Sequence, residues 1–144
     1  VTDITQRCVE DLIAKVSAVL PPGDERAIYV YDEDVFGDAS KQLSYPAVGV
    51  IYVGTQGKPQ ARGNGLSAEL SFVLIFMSDE VRFDTSGRAD KSEATGLLKA
   101  IRDAIKCTRS PTGHIWNFSA EAPRGVVDKH MVYYQKWTVD AVLT

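Results

Sequence analysis

The sequence predicts a single α+β domain over 1–144, mainly an antiparallel sheet built on a long β-hairpin (45–77) with two packed helices (2–20 and 90–107). Three observations predict it. Two segments carry apolar residues at helical spacing, two long runs alternate as strands around a Gly-rich loop, and the last third alternates again. A chain of 144 residues fits one domain. At that length roughly 70% of the unfolded surface is buried, enough core without disulfides or metal.

In the first helix Ile4, Cys8, Val9, Leu12, Ile13, Val16 and Leu20 form one apolar stripe. Thr2 or Asp3 can cap its start, and Pro21-Pro22-Gly23 stops it. Ala27 to Tyr31 reads as a short strand ended by the acidic residues Asp32, Glu33 and Asp34. With Asp38 these could suggest a hard-cation site, but the Gly and distal Glu of a calcium loop are missing. A solvated connection is the expectation.

The hairpin pairs Tyr45–Val53 with Leu66–Met77. In the second strand Leu66, Ala68, Leu70, Phe72, Leu74 and Phe76 share one face. The other face begins polar at Ser67, Glu69 and Ser71 and turns apolar at Val73, Ile75 and Met77. That far half needs cover on both sides, from a helix or from another subunit. The loop from Gly54 to Gly65 has the glycines and a lysine of a phosphate cradle. It lacks the Gly-Lys-Ser/Thr ending and leads into no helix, so nucleotide binding is not expected. An exposed basic tip carrying Lys58 and Arg62, ordered on meeting a partner, and a plain disordered loop remain open.

Ser78 to Arg88, with Arg82 and Phe83, reads as a connection. Asp90 then caps the second helix with Glu93 in the capping-box position, and Ala94, Leu97, Leu98, Ile101, Ala104 and Ile105 form its stripe. His114 to Ala120 alternates as a strand, Glu121 to Gly125 reads as a turn, and Lys129 to Val142 as a terminal strand. In that strand Met131, Tyr133, Gln135, Trp137, Val139 and Ala141 share one face.

Chemistry is sparse. Net charge is −3, which gives no electrostatic footprint for nucleic acid or an anionic membrane. No apolar run approaches the roughly 20 residues of a membrane span. Residues 1–20 carry charges throughout, so a secretory leader is not expected, and a reducing cytosol or a particle assembled there is. Cys8 and Cys107 read as buried free thiols. His114 and His130 lack ligand-spaced neighbours, and no nucleophile elbow is present. The expectation is no enzyme, no catalytic residue, no cofactor and no metal.

The stretch Tyr45-Pro-Ala-Val-Gly-Val-Ile-Tyr-Val-Gly54, a Gly-containing loop, and Leu66-Ser-Ala-Glu-Leu-Ser-Phe-Val-Leu-Ile-Phe76 resembles the hairpin pattern of tail terminator proteins of long-tailed bacteriophages. The order of elements matches that family, and Gly113–Phe118 with Val132–Trp137 is similar to small Mu-like tail-completion proteins. The resemblance implies a virion protein at the head–tail junction, assembled in the host cytoplasm. It implies a hexameric ring that caps the finished tail tube, stops polymerisation and presents the surface that joins the head. Implied partners are further copies of the chain, the tail tube protein, the sheath protein in contractile tails, and a head-completion or connector protein. Genomic DNA would pass through the lumen without specific binding. Candidate interface residues are Lys58, Arg62, Arg82, Phe83, Trp116 and Phe118, although Trp116 and Phe118 also fit the core. Competing readings are another neck or tail-completion connector ring, or a small ligand-binding or enzymatic α+β domain.

Overall fold

Asp3 opens the first helix, α1 (Ile4–Ser17), by accepting the Gln6 backbone N–H on Oδ1 at 2.8 Å. This satisfies one of the donors that a helix start leaves unpaired. Cys8, Val9, Leu12 and Val16 are buried along its inner stripe. The computed structural model describes residues 3–21, 27–29, 45–58, 66–80, 92–127 and 130–143. Within them follow β1 (Ala27–Tyr29), β2 (Ala47–Gly57), β3 (Leu66–Glu80), α2 (Ser92–Ile105), β4 (Asn117–Val127) and β5 (His130–Leu143). Val30 and Tyr31, the acidic residues 32–34 and 38, and the Asp90 cap lie outside the described residues.

The five strands form one sheet in the order β1-β2-β3-β5-β4. Only β1 runs parallel to its neighbour; the other pairs are antiparallel. The predicted class, α+β with a mainly antiparallel sheet, is the observed one. The long hairpin is its middle: β3 pairs with β2 on one side and β5 on the other.

Two boundaries differ from expectation for a shared reason. Gly54 was expected to begin the loop, yet β2 continues to Gly57 and the Lys58 N–H donates to the Ser67 carbonyl at 2.9 Å. Gly54 has φ +146 beside a bulge between Tyr52 and Gly54, so it bends the ladder without ending it. Glu121 to Gly125 was expected to turn, yet it lies inside β4. There Gly125, at φ +113, follows a second bulge, and Pro123 is tolerated because β4 is an edge strand. At the other end, β4 starts at Asn117, three residues later than the alternation suggested, because Ile115 makes only an isolated bridge to Arg109.

The main core lies between the two helices and one sheet face. Leu70, Phe72, Leu74 and Phe76 of β3 meet Leu12 and Val16 of α1, Leu98 and Ile101 of α2, and Trp137 and Val139 of β5. Each fully buried side chain of this size contributes about 1.5–3 kcal/mol. A second, smaller cluster occupies the opposite face: Ala47, Ile51, Ile75, Met77 and Val132, with Tyr45, Val73 and Tyr134 packed against it. Its members are at most 4% exposed in a single chain. The two-sided apolar half of β3 is therefore covered without a second subunit, and cannot by itself argue for one.

Candidate assembly surface

The sequence-predicted interface residues do not form one patch. Lys58 follows the last residue of β2, and its Nζ pairs with the Asp140 carboxylate of β5, across the width of β3. Both side chains are largely solvated, and the hydrogen bond to Asp140 raises the Lys58 pKa. Lys58 is thus engaged within its own subunit. Arg62, Arg82 and Phe83 lie outside the described residues.

Trp116 is a core residue, 2% exposed, which corrects its reading as a contact residue. Its ring packs edge-on against Phe72, and its Nε1–H donates to Asp11 of α1 at 2.9 Å. Asp11 also accepts from Lys15 at 2.7 Å, and Lys15 reaches the Arg109 carbonyl at 3.2 Å. This set ties α1 to the segment leading into β4. Phe118 differs: it is half exposed, its ring edge-to-face with Trp137 at 5.3 Å. Of the described candidates it alone presents an apolar surface.

Sequence reasoning missed the polar network beneath β4. Gln135 sits on the apolar face of β5, 1% exposed, and is nearly saturated. Its Oε1 accepts from Trp137 Nε1 at 2.7 Å, and its Nε2 donates to Glu121 at 2.9 Å and to the Leu98 carbonyl at 3.4 Å. Glu121 also accepts from Arg102 at 2.5 Å. The network locks β4 and β5 to α2, and a buried amide is tolerated because its groups are paired. Each of these side chains is paired within the chain, which gives the network a role in holding the fold together.

Cysteine and histidine placement is equally plain. Cys8 is buried, and desolvation pushes its thiol up to about 11, so it stays protonated. Cys107 is exposed, correcting the expectation of a second core thiol; it sits past the end of α2 at φ 60. His114 is exposed on the turn before Ile115. His130 stacks on Tyr45 at 3.8 Å, with Nδ1 2.7 Å from the Ser78 carbonyl. Among the described residues no three His, Cys, Asp or Glu side chains converge as a metal site. A cleft of about 690 Å³ opens between the start of α1, Pro111 to His114 and the end of β5. It is lined by Ile4, Thr112 and Val142 among others, with Asp3 and His114 its titratable side chains. No helix among the described residues is long and apolar enough to cross a membrane.

Among the described residues the large apolar side chains left exposed lie on the strands, apart from Ile115 in the segment leading into β4. Val53 of β2, Leu66 of β3, Phe118 and Val126 of β4 and Val142 of β5 are each about half or more exposed. The sequence signal for Val53 and Phe118 was available in retrospect: both stand in uncharged segments at sheet edges.

Comparison with known proteins adds the fold's context. No protein-family model and no curated protein matches the chain. Among solved structures, it is similar to a chain in the virion of a native gene transfer agent particle. The TM-score is 0.59, the identity 10%, and the match covers 99% of each chain. The likeness is one of fold. It runs the full length of both chains, so it includes the edge strand β4 and the hairpin β2–β3 as well as the helical layer.

Proposed function

We propose that this chain is a structural protein of a phage-like virion, and that it works as a tail terminator. The observation that carries the first statement is the whole-chain fold likeness to a chain of an assembled virion, with 99% of each chain matched. The second rests on the resemblance of the Tyr45–Gly54 and Leu66–Phe76 strands to the terminator hairpin. In this reading copies of the chain close a hexameric ring on the last layer of the tail tube, end its growth and offer the far side to the head. Its partners are the tail tube protein, the sheath protein where the tail contracts, and a head-completion protein. In this reading the subunit contributes surface, not catalysis; among the described residues the Trp116, Trp137, Gln135, Glu121 and Arg102 side chains are paired within the chain. With a net charge of −3 a ring would not hold passing DNA by phosphate contacts.

The test is to assemble particles without this chain and image them. Over-long tails without heads are expected. Headless tails of normal length would favour a connector at the neck, and normal infectious particles would overturn both assignments. Native mass measurement of the purified chain supplies the second arm, with a ring of identical subunits expected.

A further inference from the structure

We infer that copies of this chain join edge to edge, the start of β4 in one subunit extending the sheet beyond the free half of β2 in the next. The strand registers carry the argument. On one level Val48, Phe76, Tyr133 and Pro123 lie side by side across the sheet. At that level both edges are closed. β1 covers Val48 to Val50 of β2. On the opposite edge Pro123 has no N–H to offer; the bulge before Gly125 does not set this level apart, since the open stretches carry bulges too, at Tyr52/Gly54 and at Phe118/Ala120.

Further along, both edges open together. Ile51 is level with Val73, Lys136 and Ala120; Tyr52 with Phe72, Trp137 and Phe118; Gly54 with Ser71, Thr138 and Asn117. Among the described residues no strand pairs with the outer edge of Ile51 to Gly57, and none with the outer edge of β4. The free stretches sit at the same height on opposite edges. They also have the right polarity. Three successive antiparallel pairings make β4 run opposite to β2, so a second copy laid alongside in the same orientation forms an antiparallel ladder.

Composition points the same way. Ile51–Gly57 and Asn117–Ala120 contain no charged residue, whereas edges that must stay unpaired are usually guarded by Lys, Pro or inward charges. Val53, 47% exposed, and Phe118, 48% exposed, stand on the two stretches as apolar contacts. The occupant is a second copy because the two free stretches lie at the same height and run with the polarity of an antiparallel pair. Two different edges make a heterologous contact, the kind that closes into a ring. This pairing rests on the ring reading above and specifies how its subunits meet.

The experiment uses the full chain with Cys107→Ser, leaving buried Cys8 in place. Val53→Cys and Asn117→Cys are introduced singly and together and treated with a short bis-maleimide. The double variant is expected to give a covalent ladder ending at the ring mass, and each single variant only monomer. A second pair of changes, Val53→Lys with Phe118→Lys, is expected to abolish the assembled species by native mass while the far-ultraviolet spectrum is unchanged. Val126→Lys, at the closed end of β4, is expected to leave assembly intact. Covalent dimers from a single variant would mean like edges meet and would overturn the pairing. A ring that survives the two lysines without cross-linking would overturn it and leave the ring reading standing. A wild-type chain that stays monomeric at every soluble concentration would sink both.

Discussion

The two ends of the sheet are built differently. At the end containing Ala47, Met77 and Val132, both faces are buried, the main core on one side and the smaller cluster on the other. At the end containing Gly57, Leu66 and Leu143, only the helix-facing side is covered, and Leu66 and Val142 are well over half exposed. Edges follow faces: β1 and Pro123 close the first end, and nothing described closes the second. The contrast separates folding from assembly. One end holds the subunit together, and at the other Leu66 and Val142 stay exposed, with no described strand on the outer edges.

The largest expected effect falls at the finished end. Phe76 is 1% exposed in the main core beside Tyr133. Phe76→Ala should cost about 3–5 kcal/mol of unfolding free energy, read by urea titration. Ile75, the residue before it, faces the smaller cluster at 0% exposure. Ile75→Ala should cost about 2–5 kcal/mol in the isolated chain. A loss under about 1 kcal/mol, the scale of a surface change, would mean that the outer face is sealed only in an assembly, and the contrast between ends would fail.

Two smaller effects probe the helix-facing side. The Cys8 thiol, ordinarily ionising near 9.0, is pushed up to about 11 by burial, with Asp11 adding to the effect and Arg7 and Lys15 opposing it. The raised value means the fold favours the neutral thiol. Its contribution is complete below about pH 9 and is lost as pH rises through about 11. The loss should reach about 2–3 kcal/mol at the alkaline limit. Cys8→Ala should flatten that part of the stability profile while leaving any slope due to Tyr133, also raised by burial, in place. Gln135→Leu should cost about 1–3 kcal/mol, because Trp137 Nε1, in a fully buried ring, loses its acceptor. An unchanged midpoint in urea would mean the network is not what fastens β5 to α2.

The finished end was far more legible in the sequence than the open one. Alternation over Leu66–Met77 and the helical stripes follow directly from burial, which the hydrophobic pattern records. The switch from Ser67, Glu69 and Ser71 to Val73, Ile75 and Met77 marked where outer-face burial begins, though not whether one chain supplies it. Gly54 and Pro123 misled because both residues signal turns locally, while here long pairing with β3 and β5 carries the strands through as bulges. Trp116 and Phe118 are aromatic residues two apart. Only tertiary placement sends one under α1 and leaves the other at the rim. Lys58 looked available because its partner, Asp140, is 82 residues away in sequence.

The smallest effect on stability is also the most discriminating. Leu66 and Val142 sit at 65% and 61% exposure, on β3 and β5 at the unfinished end. A surface position of this kind, making little contact within the subunit, is worth no more than about 0.5 kcal/mol when replaced. Leu66→Ser and Val142→Ser should therefore leave the urea midpoint of the isolated chain almost unmoved. If the open end is where partners meet, the same changes should weaken assembly, measured as a higher concentration needed for half the chain to enter the ring. Stability lost without any change in association would place these side chains in the fold and not in the contact. An effect on association alone would divide the sheet as its burial does, with one end made for the subunit and the other for its neighbours.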